Sequence, residues 1–386
     1  MKHAQMETVQ VKMAKKIKIG ILFGGRSAEH EISLKSAASV ISALESEVFE
    51  ITAIGITPMG QFASAAEVKK MLPPHLIDRV RLYDDPGIHH KKQLSASNFP
   101  QISTGVGHRP EIFFPLLHGP YGEDGTIQGF LEIANLPYVG CGVLASSVGM
   151  DKDIMKRLFI QAGLPVAPFR TLYANEFFKK PQAVKHSVSK ELGYPMFSKP
   201  ANLGSSVGIC KIHSEKEFEP SVRHSAQFDR KIVIEKGLDA RELECAILGN
   251  DNPRASVVGE IIPAHEFYDY DAKYISPDSR LEIPARINSM KSRKVQDLSL
   301  RAFKAIDGSG LARVDFFLER KTGKIWVSEI NTMPGFTPIS MYAKLWASSG
   351  VTFKQLVIKL IELGKERYLD RNKRSFQRFN PQDRSQ

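Results

Sequence analysis

The sequence predicts a chain of α/β and α+β units, with a parallel sheet first and antiparallel strands later. Three observations carry this. The opening "IKIGILFGG" is a buried-strand run that ends at Gly24 and Gly25 and is followed by residues at helical spacing, a strand-loop-helix start. The Pro-rich link "LPVAPF" follows a helix that stops at Gly163, which opens a second unit. A late pair of apolar runs, "RVDFFLERKTGKIWVSEIN", is joined by a turn short enough only for antiparallel strands.

Taken in order, Ala37, Val40, Ile41 and Leu44 fall at i, i+3, i+4 and i+7 and predict the first helix. "ITAIGIT" and "EIFFPLL" supply further strands, and Ile127, Phe130, Leu131 and Ala134 repeat the helical spacing. Alternating strands and helices call for a parallel sheet covered on both faces. Gly24-Gly25 lacks the third glycine of a dinucleotide fingerprint, so a nicotinamide-binding reading is weak. A helix is expected from Asp151 to Ala162, then strands "YPMFSKP" and "VGICKI" around "ANLGSS", and a helix near Glu215 to Ala226. "KIVIEK", "ELECAIL" and "SVVGEII" read as strands, the late hairpin follows, and a helix from Phe353 to Tyr368 closes the fold. "HEFYDYDAKYISPDS" has no clean period and reads as a long loop, of the kind that serves as a lid or binding segment. The expected units are a flexible extension at 1–15, an N-terminal α/β unit at 16–145, a central unit at 146–230, a C-terminal unit at 231–370 and a basic tail at 371–386.

The 386 residues carry a net charge of +11, which raises the question of nucleic acid. Lysines before residue 19 and Lys or Arg after residue 370 account for most of it, and what remains is too little for a phosphate-backbone surface. No nucleic-acid partner is expected. Cys141, Cys210 and Cys245 are odd in number and lack metal spacing, and no apolar run reaches the ~18 residues of a membrane span. A reducing, cytoplasmic setting without membrane insertion is the expectation.

The late hairpin places Arg313, Asp315, Glu329 and Asn331 at its outer end. With Lys-Thr-Gly as the loop, Gly323 left-handed and Arg320 opposite Lys324, Asp315 comes opposite Glu329 and Arg313 opposite Asn331. Phe317 then meets Val327, and Ile325, Val327, Glu329 and Asn331 share a side. A bulge would shift this register. Two opposed carboxylates repel unless a cation sits between them, and Asp, Glu and Asn oxygens suit magnesium. The same pattern also fits a plain solvated hairpin face.

"KPANLGSSVG" sets Lys199 at a strand end before small residues whose N–H groups can approach an anion. It reads equally as a phosphate cradle or as an ordinary turn with a surface lysine. Lys152 offers a second phosphate contact, and "EKGL" leaves its strand where a hinge would lie.

These motifs, in this order, resemble the ATP-grasp superfamily and, within it, the D-alanine-D-alanine ligases. The likeness covers about residues 16 to 370 and rests on "GGRSAEHEISL", "LLHGPYGEDGTIQG", "MDKDIMK", "KPANLGSSVG", "EFYDYDAKYISPD", "RVDFF" and "EINTMPGFTPISM". It implies a three-domain ATP-grasp architecture with an N-terminal parallel-sheet (preATP-grasp) domain, a central lid and a C-terminal catalytic unit. The implied reaction forms a D-alanyl phosphate from ATP, which a second D-alanine attacks, within peptidoglycan precursor synthesis.

The resemblance gives Glu29 the first substrate's ammonium, with Ser205 and Tyr274 as its hydrogen-bond partners. An acid at a helix start has an ordinary role without it. It places Lys152, Lys199, Ser205, Ser206 and Lys273 on ATP, Glu235, Lys236 and Leu238 at adenine and Glu242 at ribose. Arg313 and the Gly335 N–H face the oxyanion, and Ser340 and Met341 face the second carboxylate. Asp315, Glu329 and Asn331 become ligands of two Mg2+ or Mn2+ ions, and the sequence leaves a role for K+ open. A homodimer is the family's usual state. His30 and His118 stay outside the catalytic set, His118 reading as readily positional as proton-transferring. Competing readings are a ligase using D-serine or D-lactate as second substrate, and a non-catalytic nucleotide-binding protein.

Overall fold

A computed structural model describes residues 15–83, 109–262 and 280–374. The expected lid segment with Lys273 and Tyr274, and most of both basic ends, lie outside these residues.

The first sheet has the order β3-β2-β1-β4, from β1 (Ile17–Gly24), β2 (Phe49–Ile56), β3 (Val80–Leu82) and β4 (Ile112–Leu116), with every pairing parallel. Its central strand is buried almost throughout, which explains the unbroken apolar run that the sequence showed. Parallel neighbours need crossovers, and the helix His30–Ala43 joins β1 to β2 with Ala37, Val40 and Ile41 inward, as their spacing predicts.

The second sheet has the order β5-β8-β6-β7, from β5 (Phe169–Tyr173), β6 (Met196–Pro200), β7 (Cys210–Ile212) and β8 (Lys231–Lys236), all antiparallel. It encloses its own small core of Leu172, Phe177, Phe218, Ile232 and Ile234. The boundary expected at 230/231 separates β8 from this sheet. The chain leaves the sheet only after Lys236, at the segment read as a hinge.

The third sheet has the order β11-β10-β9-β12-β13, from β9 (Ala240–Gly249), β10 (Arg254–Ile262), β11 (Arg280–Glu282), β12 (Gly310–Glu319) and β13 (Ile325–Asn331). One face is apolar along its length: Leu243, Cys245, Ile247, Val314 and Phe316 pack with the helices Lys152–Gln161 and Ser289–Ala305. The other face changes character. At one end Ala246, Leu248 and Leu311 join the core of the first sheet, and at the other end Glu242, Glu244, Arg313 and Asp315 stand in a row. The polar hairpin end therefore lines a crevice.

The hairpin departs from the expected register near its turn. Glu319 pairs with Lys324, leaving four loop residues with Gly323 at φ +69°, and Phe317 lies opposite Trp326 rather than Val327. A bulge at Ser328 then adds one residue to β13, so Asp315 still faces Glu329 and Arg313 still faces Asn331. The bulge also corrects the face assignment. Ile325, Val327 and Ile330 enter the core, while Glu329 and Asn331 stand apart from them, only half-buried.

Candidate functional site

Glu29 sits at the N-cap of the first helix without capping it; its own N–H is held by Ser27 Oγ at 2.9 Å. Its carboxylate is buried and accepts a hydrogen bond from Ser205 Oγ in the Gly-rich loop of the second sheet. Ser205 and Ser206 both have positive φ, 50° and 59°, a conformation unfavourable for serine that aims the hydroxyl across the crevice. Gly119 lies so close that a Cβ there would stand 2.5 Å from Glu29 Oε2. A second acid joins them: Glu123 accepts the Gly119 N–H at 3.1 Å. Burial and the nearby Glu29 push its carboxyl up to about 8.

On the polar face of the third sheet, Arg313 grips Asp315 with two bonds of 2.7 Å and reaches Glu244 Oε2 at 3.0 Å. Glu244, Asp315 and Glu329 are cross-strand neighbours, and Asn331 Nδ2 donates to Asp315 at 3.1 Å. Burial works against the guanidinium's charge, but Asp315 and Glu244 outweigh it and hold Arg313 well above its ordinary range. Carboxylate and amide oxygens are the donors a hard divalent cation takes, so the set fits magnesium or manganese in chemical type. Among the described residues no three acids, histidines or cysteines already converge on one point. Asp315 faces Arg313, and a cation has to share its oxygens with the guanidinium.

Lys152 opens the helix Lys152–Gln161 and donates to Leu203 O at 2.5 Å, fixing the main chain of the Gly-rich loop. Lys199, at the end of β6, bonds Glu235 Oε2 at 2.6 Å, and the other oxygen of Glu235 takes Lys156 at 2.9 Å. Burial alone would raise Glu235, but the two ammonium groups hold it down at about 2. Its side chain is thus spoken for by lysines, and Lys236 and Leu238 beyond it border the passage from β8 to β9. Glu242 follows on β9, opposite Phe317.

The segment carrying Gly335 is fastened from the first unit. His118 is buried, its Nδ1 lies 3.0 Å from the Met333 carbonyl and its Nε2 3.0 Å from Ser36 Oγ. Burial lowers its pKa. A neutral ring therefore donates from Nδ1 and accepts at Nε2, a positional role. Ser340 Oγ contacts Thr337 Oγ1 at 2.7 Å, and Ser340 stands at the N-cap position of the helix Met341–Ser348 without a side-chain bond to its first turn. The Met341 side chain points into the core, 3.2 Å from where a Cβ on Gly259 would lie, so what this residue can offer a ligand is main chain.

Sequence reasoning missed Glu123, Glu244 and Lys156. Glu244 carried a readable signal, an acid in the middle of the apolar strand "ELECAIL". Lys156 lies one helical turn after Lys152, on the same face. Glu123 gains its meaning only from the fold.

Residues 18–141 match the family "D-ala D-ala ligase N-terminus" and residues 158–362 the family "D-ala D-ala ligase C-terminus". The chain is 46% identical over 366 residues to the D-alanine–D-alanine ligase of Heliobacterium modesticaldum, covering 94% of this chain and 98% of that one. The ligase of Acetivibrio thermocellus is 43% identical over 371 residues, covering 93% and 98%. Among solved structures, the D-alanine-D-alanine ligase from Coxiella burnetii superposes with a TM-score of 0.77 at 33% identity, over 93% of this chain and 97% of that one. The VanG D-Ala:D-Ser ligase from Enterococcus faecalis gives 0.76 at 32% identity, over 91% and 100%. With both halves matched and this identity over nearly its whole length, the chain belongs to the D-alanine–D-alanine ligase family.

Proposed function

We propose that the protein joins two D-alanine molecules at the expense of ATP, for peptidoglycan precursor synthesis. The observation that carries this is the Ser205–Glu29 contact, which closes the Gly-rich loop over an acid of the first unit, beside the Arg313–Asp315–Glu329 face. Glu29, with Glu123 beside it, receives the ammonium of the first D-alanine. Lys152, Lys199 and the Ser205–Ser206 turn hold the phosphates, Lys236 and Leu238 border the adenine, and Glu242 meets the ribose. The first carboxylate takes the γ-phosphoryl group, and ADP forms. The amine of the second D-alanine, having lost its proton, then attacks the acyl carbon. Arg313 and the Gly335 N–H stabilise the oxyanion until phosphate leaves. Asp315, Glu329 and Asn331 hold two Mg2+ or Mn2+ ions, whose contribution when bound is charge neutralisation on the phosphates. Ser340 and the main chain at Met341 receive the second carboxylate, and the roles expected for Lys273 at phosphate and Tyr274 at Glu29 fall on residues outside those described.

A homodimer and a cytoplasmic location complete the reading. No described helix is long and apolar enough to cross a membrane, and the three cysteines are free. The test is magnesium-dependent phosphate release with D-alanine, D-serine or D-lactate offered as second substrate. Release with D-alanine alone is expected, and turnover only with D-serine or D-lactate would overturn the substrate assignment.

A further inference from the structure

Between the nucleotide lysines and the acidic hairpin lies a buried cation that none of the roles above uses. Lys156 Nζ bonds Glu235 Oε1 at 2.9 Å and the Ser328 carbonyl at 3.3 Å, and it lies 5.7 Å from the centre of the Phe169 ring. Ser328 is the bulge residue of β13, so its carbonyl stands at the break in the ladder with β12 and Lys156 satisfies it. One ammonium thus touches both the acid that holds Lys199 and the irregularity that sets Glu329 and Asn331 on the polar face.

The three charged side chains are not equally enclosed. Lys156 is 1% exposed, Glu235 2% and Lys199 12%. The three side chains are two cations and one anion, and Lys199 is the more accessible cation. We infer that Lys156 is a positioning residue for nucleotide binding: it stays as the fixed counter-ion of Glu235, so that Lys199 can exchange that acid for a phosphate.

Without Lys156, a Lys199 that left Glu235 would abandon a buried carboxylate, and the cost of an unpaired buried charge would keep the lysine in place. With Lys156, the departure leaves a neutral buried pair, and the incoming phosphate restores the partner of Lys199. The same helix supplies Lys152, which holds the Gly-rich loop, so one rigid element sets both contacts.

The inference rests on the reading of Lys199 as a phosphate contact, and the experiment separates the two. Mg-ATP binding without D-alanine is measured by titration calorimetry on the full chain and on Lys156→Met, Lys156→Met with Glu235→Gln, and Lys199→Met. Lys156→Met is expected to weaken binding at least about tenfold, while the apparent KM for D-alanine stays within about twofold. The double variant leaves Lys199 with no buried acid to serve and is expected to recover most of that loss. Unaltered Mg-ATP binding in Lys156→Met overturns the inference, and so does a double variant as weak as the single one, which is the signature of a merely structural lysine. If Lys156→Met does not fold, the double variant decides alone, and its failure to fold also overturns the inference, since a neutral pair must be tolerated there. Undiminished binding by Lys199→Met removes the phosphate role of Lys199 itself; weakened binding there with a normal Lys156→Met sinks only the role of Lys156.

Discussion

Ser205 reaches Glu29 across 176 positions of chain, and the hydroxyl donates to the carboxylate. The contact ties the second sheet's loop to the first unit at the acid proposed to receive the first substrate's ammonium. A hydrogen bond to a charged group contributes about 1.5–3 kcal/mol. Ser205→Ala is therefore expected to raise the KM for the first D-alanine by about ten- to a hundredfold. Initial-rate kinetics over a D-alanine series check this.

Asp315→Asn and Glu329→Gln keep the volume of each side chain and remove one charge from the oxygen set. Phosphate release at saturating magnesium is expected to fall by about a hundredfold or more in each, in a protein that still folds. Full metal-dependent activity in either variant would falsify the hairpin as the metal seat.

Arg313 neutralises Asp315 and Glu244, and the proposed mechanism also gives it the oxyanion. Arg313→Met leaves those acids without their cation, and breaking such a buried arrangement costs about 3–5 kcal/mol. The variant is expected both to lose turnover and to melt at lower temperature. Chemical denaturation beside single-turnover kinetics separates the two effects.

Glu123 predicts a pH dependence. Its carboxyl is raised to about 8 in the folded protein, by burial first and by Glu29 next. The folded state therefore holds a proton that the unfolded chain releases near its ordinary carboxylate pKa. Its stabilising contribution is complete below that ordinary value and is lost as pH rises towards 8. Melting temperature of the substrate-free protein is expected to decline across this window, and Glu123→Gln, which cannot titrate, is expected to flatten the decline.

Much of the candidate site was legible in the sequence for a physical reason. Asp315 and Glu329 interrupt apolar runs, and Lys199 precedes a turn of small residues, so local chemistry announced them. Glu29 was different, because an acid at a helix start is ordinary until Ser205 is seen beside it. Glu123 and Glu244 join the candidate site only through non-local neighbours, and no local period encodes those. The fold was legible where burial imposes one period, as in β1 and the helix His30–Ala43. It was obscured at β8, whose sheet is set by pairing with β5 and β6 and not by its own composition.

The bulge at Ser328 has a consequence for how variants in this hairpin should be judged. Between Ile325 and Val327 odd positions answer to the core and even ones to the surface, whereas from Glu329 onward the rule is inverted. Forcing Ser328 into the ladder would restore a single parity, sending the Glu329 and Asn331 side chains towards the core and turning Ile330 out to water, whereas deleting Ser328 would leave Glu329 opposite Asp315 and Ile330 inward. Given the order of residues in β13, its acidic face depends on Ser328 standing outside the pairing, so what matters at this position is that it stays unpaired and not which side chain it carries.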